Sequence, residues 1–154
     1  MSTVDSSRDH LADSLLAVAR AMAAMAIRTA GQGPVPLTVV QHRVLLLLED
    51  AGTLSVNAVA ARLGVDQSNA SRHCTRLAEL GLVDRTPAPH DRRSVQLRLT
   101  SVGRRQVLAV DRVRREWVDS ILDRLTDDEA REAVRGMGIL AEAAATADQP
   151  APLF

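Results

Sequence analysis

The chain contains no lysine and no tyrosine, and only one cysteine, one tryptophan and one phenylalanine in 154 residues. Each scarcity removes a class of function. A single cysteine excludes an internal disulfide framework and any cysteine-based zinc cluster. With so few aromatic side chains there are no platforms on which unpaired bases could stack, which argues against single-strand binding. His10, His42 and His90 lie in different parts of the chain, and no H-x-x-x-H or His/carboxylate spacing marks a metal site. His73 adjoins Cys74, but neighbours on a helix point about 100° apart, so the two do not converge on one ion. No nucleophile–base–acid set or paired-carboxylate motif is present, and Gly136-Met137-Gly138 lacks the third glycine and the strand-to-helix context of a phosphate loop. The expectation is a protein without enzymatic activity, cofactor or metal. The longest apolar runs, 21–27 and 44–48, are far shorter than a membrane span. Residues 1–10 are polar and mixed in charge, unlike a signal peptide. A soluble, cytoplasmic protein is expected. Lysine is absent from the acidic parts of the chain too, which fits a codon bias and carries no function.

What is present is unevenly spread. The formal net charge is zero. Yet residues 55–105 hold nine arginines against four acids, and the remainder holds ten against fifteen. A basic middle with acidic flanks is the footprint of one surface that faces a polyanion, although windows of this length also drift by a few charges. The length suits one domain with a real core.

Leu11, Leu15, Val18, Met22 and Met25 form one apolar stripe on a first helix, which Gly31-Gln32-Gly33-Pro34-Val35-Pro36 ends. Thr38 is the expected N-cap of a second helix running to about Asp50, and Ala51-Gly52-Thr53 breaks the chain again. Ser55 caps a third helix, 56–63, with Gly64 at its C-terminal end; Asp66 caps a fourth, 67–80, closed by Gly81. Two short helices joined by Leu63-Gly64-Val65-Asp66 have the length and the turn glycine of a helix-turn-helix. Thr100 caps a fifth helix carrying Val110, Val113, Trp117, Ile121 and Leu125. Thr126-Asp127-Asp128-Glu129 is a capping box that opens a sixth, with Ala133, Met137, Leu140 and Ala144 on its stripe. The terminal stripes need a partner, and a second copy of the chain is the economical one; folding back on the same module is the other solution.

Between the fourth and fifth helices, Val95, Leu97 and Leu99 alternate with Gln96, Arg98 and Thr100, the period of a half-buried strand. Pro87 and Pro89 exclude helix there, and Asp91, Arg92 and Arg93 fall at the tip of a hairpin. A helix pair followed by an Arg-tipped hairpin describes a winged helix-turn-helix, one helix suited to a major groove and one hairpin to the neighbouring backbone and minor groove. The expected fold is mainly α with a small β wing: one domain over 1–154, a winged lobe over 37–100, and dimerisation helices over 8–30 and 101–147.

Four stretches carry a family resemblance: Leu37-Thr38-Val39-Val40-Gln41-His42-Arg43-Val44-Leu45; Leu54-Ser55-Val56-Asn57-Ala58-Val59-Ala60 with Ser71-Arg72-His73-Cys74-Thr75-Arg76-Leu77; Leu80-Gly81-Leu82-Val83-Asp84-Arg85; and Asp91-Arg92-Arg93-Ser94-Val95-Gln96-Leu97-Arg98-Leu99-Thr100 with Gly103-Arg104. In this order and spacing they resemble the MarR-family transcriptional regulators over about residues 8–147. The resemblance implies a homodimer with interleaved termini whose two winged lobes read a pseudo-palindromic operator in double-stranded DNA. It implies a repressor of transcription, released by a small aromatic or lipophilic effector or, in some members, by cysteine oxidation. The chain departs in two places. His42 stands where a large aromatic or apolar residue is usual, and the first helix lacks the sensing cysteine of redox members.

On the fourth helix Ala70, Cys74 and Leu77 share one face and should pack inward. That leaves Gln67, Ser68, Asn69, Ser71 and Arg72 at the exposed N-terminal half, where base edges are read. Asn and Gln suit adenine and Arg suits guanine; Arg72 serves a phosphate equally well, and Ser71 also fits plain solvent exposure. Arg76, one turn on, is placed for a phosphate. Arg93 matches the family's minor-groove arginine, Arg92 stands beside it, and Asp91 braces the hairpin, readings favoured over a solvated surface charge pair. The resemblance places an effector pocket between lobe and dimer helices, with Met22, Met25, His42 and Trp117 as candidates, though each also fits ordinary core. Cys74 on the buried stripe reads as a small hydrophobe, against a redox sensor. A winged module that binds protein instead of DNA is the remaining alternative.

Overall fold

The computed structural model describes the backbone of residues 3–88 and 91–146 and the side chains of residues 7–87 and 95–146. Six helices and three strands follow one another as α1 (Thr3–Ala30), α2 (Val39–Ala51), β1 (Thr53–Ser55), α3 (Val56–Leu63), α4 (Gln67–Glu79), β2 (Val83–Ala88), β3 (Asp91–Leu99), α5 (Ser101–Leu122) and α6 (Asp127–Thr146).

Helix starts are set by side chains that accept from otherwise orphaned N–H groups. Thr38 Oγ1 accepts from Gln41 N at 3.2 Å while Gln41 Oε1 accepts from Thr38 N at 3.0 Å. Ser55 accepts from Ala58 N at 3.1 Å, Asp66 from Asn69 N at 2.8 Å and Thr100 from Gly103 N at 2.9 Å. Thr126 N donates to Glu129 Oε2 at 2.8 Å, completing the box that opens α6. Each such cap is worth about 1 kcal/mol. Gly64 ends α3 in the left-handed region, φ 67°, which spares a side chain the strain and turns the chain toward α4.

The sheet order is β1-β3-β2, antiparallel throughout. The hairpin keeps register from Val83↔Leu99 to Pro87↔Val95 and shifts between Pro87 and Ala88. The pattern of Val95, Leu97 and Leu99 predicts the central strand, and these three residues face the core. The three residues of β1 are a correction to the sequence reading, which leaves Thr53 in a loop. They are too few for a period-2 pattern to show, and they form because the second edge of β3 offers unpaired backbone groups at Thr53↔Arg98 and Ser55↔Gln96.

One aliphatic core joins α2, α3, α4 and the sheet: Leu45, Leu48, Val59, Leu63, Leu77 and Leu97 are all 1% exposed or less. Each such side chain contributes about 1.5–3 kcal/mol of burial. Helix α5 docks on this lobe through Gly103, which lies against the Leu82 carbonyl, and through Gln106, a buried amide. Gln106 Nε2 donates to Val35 O at 2.7 Å and its Oε1 accepts from Val35 N at 2.9 Å, so the α1–α2 connector is tied to α5.

Away from the lobe the helices lose cover. Leu11 of α1, Leu108 of α5 and Val134 of α6 are 70%, 64% and 63% exposed, and no described residue of α6 is buried. Within α1, residues Ser7–Ala30 are long and apolar enough to cross a membrane by length and composition. The short uninterrupted runs of the sequence do not suggest this. It arises from the Ala- and Met-rich stretch between few charges.

Candidate nucleic-acid interface

Helix α4 is held by its apolar side and leaves its polar side free. Ala70, Cys74 and Leu77 are fully buried, while Gln67, Ser68, Arg72, Thr75 and Arg76 are exposed and Asn69 and Ser71 half-buried. At its start Ser68 Oγ donates to Asp66 Oδ1 at 2.6 Å. That bond, with the one from the Asn69 amide, holds the Asp66 carboxyl below its ordinary range. Ser68 therefore braces the cap and keeps only acceptor capacity for a partner. Arg76 Nη1 lies 3.3 Å from Glu79 Oε2, an exposed i,i+3 pair worth little in water and easily exchanged for a phosphate.

Of two residues that sequence reasoning did not single out, one joins this surface and the other lies on the opposite face of the sheet. Arg85 of β2 donates from Nη1 to Thr75 Oγ1 at 2.6 Å, tying the base of the hairpin to α4. Arg98 of β3 faces Asp84 of β2 at 3.7 Å. The basic window of residues 55–105 contains Arg85 and Arg98, but only the pairing of strands with helix shows what each meets. Asp91, Arg92 and Arg93 begin β3; their side chains lie outside the described residues, as do Pro89 and His90 altogether.

A second feature sits between α1, α2 and α5. A cleft of about 340 Å³ is lined by residues that include Met22, Ile27, His42, Arg43, Leu46 and Arg114. His42 is 1% exposed and neither ring nitrogen has a hydrogen-bond partner among the described residues. Burial, and then the Arg114 guanidinium, push its pKa down from 6.5 to about 4, against a smaller opposing pull from Asp111. The ring is neutral at physiological pH, with one donor and one acceptor unspent. Arg114 is fixed at the cleft wall: its Nε donates to Thr29 Oγ1 at 3.1 Å, and its Nη1 lies 3.8 Å from Asp111 Oδ1. Of the sequence candidates, Met22 and His42 line this cleft, and Met25 and Trp117 are not among its lining residues. Met25 packs beside Thr29, its Sδ 3.8 Å from the hydroxyl, and Trp117 lies half-buried further along α5. Arg114 carried no sequence signal, because nothing local says which side of α5 meets α2.

Burial pushes the Cys74 thiol up, against a smaller opposing effect of Arg85, so the reactive thiolate is disfavoured. Among the described residues no group of three or more His, Cys, Asp or Glu side chains is placed to hold a metal ion.

The comparison with known proteins agrees with this geometry. The MarR family model matches residues 35–94, from the connector before α2 into β3. The uncharacterized HTH-type transcriptional regulator ML2140 of Mycobacterium leprae is 34% identical over 81% of this chain and 85% of its own length. The uncharacterized HTH-type transcriptional regulator YfiV of Bacillus subtilis is 31% identical over 67% of this chain; the match spans 64% of that relative's length. The crystal structure of RV1404 from Mycobacterium tuberculosis superposes with a TM-score of 0.79 at 30% identity, covering 94% of this chain and 98% of that one. The winged lobe, the cap-for-cap helix-turn-helix and these relatives lead to one conclusion: the chain belongs to the MarR family and is a DNA-binding transcriptional regulator.

Proposed function

We propose that two copies of the chain bind a pseudo-palindromic operator in double-stranded DNA and repress transcription from it. The observation that carries this is α4 itself, a helix anchored by Ala70, Cys74 and Leu77 whose opposite, polar side is free. In this reading α4 enters the major groove. Gln67, Ser68, Asn69, Ser71 and Arg72 approach base edges, Ser68 as an acceptor, and Arg76 approaches the backbone. Arg92 and Arg93 reach the adjacent minor groove from a hairpin braced by Asp91. Residues 8–30 and 101–147 form the dimer, which covers the apolar faces of α1, α5 and α6. In this reading α1 serves the dimer, the regulator is cytoplasmic with no membrane contact, and no catalytic step, cofactor or metal is required.

Half-site centres are expected about one helical turn, roughly 10 bp, apart. Footprinting on fragments selected from the genome tests this; protection of a single half-site, or a monomer on DNA by sedimentation, would overturn it. A winged module that binds only protein would give no gel shift at all. The two DNA elements should also fail differently. Arg93→Ala is expected to weaken binding to every sequence and to flatten its salt dependence. Asn69→Ala or Arg72→Ala should cost on the order of 1–3 kcal/mol and relax preference at one base position. A base-substitution panel with salt titrations separates these outcomes.

The unpartnered His42 ring favours a second element, a small aromatic or lipophilic effector in the α1–α2–α5 cleft. Neutral His42 would orient it through one hydrogen bond, Met22 and Ile27 would cover its apolar part, and Arg114 would favour an acidic group. Release requires that the effector prefer the non-binding state, since equal affinity shifts nothing. Aromatic acids and lipophilic compounds are therefore expected to release wild type and Cys74→Ser alike, and peroxide to release neither. Release of wild type by peroxide but not of Cys74→Ser, with no active compound, would assign the switch to the cysteine instead.

A further inference from the structure

We propose that Arg85, held against α4 by Thr75, is a DNA-backbone contact that fixes the base of the wing to the recognition helix. The proposal rests on the DNA-binding reading of α4 and adds a contact that neither the helix nor the wing tip supplies.

Arg85 stands on β2 opposite Leu97 of β3, so the ladder fixes its backbone. Its side chain reaches out of the sheet to α4, where Nη1 donates to Thr75 Oγ1 at 2.6 Å. Thr75 is exposed and lies three residues after Arg72 and one before Arg76, so it continues the Ser68–Arg72 row along the free side of α4. A guanidinium has five N–H donors, and the threonine takes one. Arg76 has Glu79 as an exchangeable ion-pair partner, whereas among the described residues no carboxylate lies within ion-pair distance of Arg85. The result is an exposed, uncompensated cation with spare donors, on the side of α4 that would meet DNA. Such a planar fork suits two phosphate oxygens. Thr75 adds a second function. As acceptor from Arg85 it still has its own O–H, which can donate to the same phosphate. The contact also restricts the arginine before DNA arrives, which lowers the ordering cost of binding.

The test is salt-titrated binding of the full dimer to a mixed-sequence genomic duplex, with Arg85→Gln as the main variant. Glutamine keeps an amide donor for Thr75 and removes the charge. Losing one phosphate contact per protomer should lower the slope of log affinity against log salt by about 0.9 per protomer, with affinity down about tenfold at physiological salt. The loss should be uniform across sequences, unlike that of Arg72→Ala. Arg85→Lys should keep the wild-type slope. Thr75→Val should keep the slope and lose less affinity, because the charge remains but is no longer fixed. An unchanged slope for Arg85→Gln, with wild type binding steeply, would overturn this proposal alone. Wild type that fails to bind duplex would overturn the DNA reading of α4 together with it. Thermal melts accompany each variant, and if Arg85→Gln does not fold, Arg85→Lys with a reduced slope would count against the proposal, since the cation would have been kept.

Discussion

Acidification from pH 7 to pH 4 is expected to cost the folded protein about 3 kcal/mol through His42 alone. The sign follows from where protons bind. Unfolded, His42 takes a proton near its ordinary value of 6.5; folded, burial and the Arg114 charge hold it neutral down to about 4. Between those values the unfolded chain binds more protons, so stability falls as pH falls through that window. Above about pH 7.5 the group contributes almost no pH dependence. The carboxyls of Asp66 and Glu129 behave differently. Both are held below their ordinary range, first by hydrogen bonds from Ser68 and from the Thr126 amide respectively, so their contribution is present above the carboxylate range and is lost only as pH drops through and below it. The windows separate, and comparison with His42→Leu isolates the histidine. That variant should melt higher than wild type at neutral pH, because leaving polar atoms buried and unpaired costs about 1–3 kcal/mol. It should also lose most of the wild-type decline between pH 6.5 and 4.5. Parallel pH profiles of the two proteins would show that the ring finds partners in solution. The same orphaned nitrogens are the reason to look for an effector here, since native interiors pair nearly all their buried polar groups.

Gly103→Ala is expected to destabilise the protein more than any helix-propensity gain can offset. A Cβ at this position would run into the Leu82 carbonyl oxygen and stand 3.1 Å from Leu99 Cδ2. The first of these is backbone and cannot swing aside, so α5 must withdraw from the lobe. Overpacking of this kind costs about 1–3 kcal/mol and more when backbone has to move, a Tm decrease of about 2–4 °C per kcal/mol at this chain length. The withdrawal should also strain the Gln106–Val35 bonds three residues further on and so misplace the lobe relative to the distal helices. DNA affinity is expected to fall with stability. Gly136→Ala in α6 is the matched control, because a Cβ there meets nothing within 4 Å and helix propensity favours alanine by about 0.5–1 kcal/mol. Calorimetry on the two variants should give shifts of opposite sign. A Gly103→Ala protein that melts like wild type would mean that α5 is not packed on Leu82.

The sequence by itself determined every feature whose cause is local. Thr38, Ser55, Asp66, Thr100 and Thr126 each start a helix where they stand, because a cap is a contract between residues at most three apart. Ala70, Cys74 and Leu77 fix which side of α4 is buried, so the free side with Gln67, Arg72 and Arg76 could be read as a surface for DNA from spacing alone. The alternation of Val95, Leu97 and Leu99 gave the central strand in the same way. The tertiary structure alone decided what depends on distant partners. Strand β1 exists because β3 has an edge to offer; Gln106 is buried because Val35, 71 residues earlier, presents both backbone groups to it; and Arg114 reaches Thr29 across 85 residues. His42 shows the boundary most clearly. Its position on α2 and its unusual polarity could be read from the chain, but its isolation could not, because a missing hydrogen bond is a property of everything that packs around the ring. Local patterns report what a residue prefers, and only the packed fold fixes what it meets.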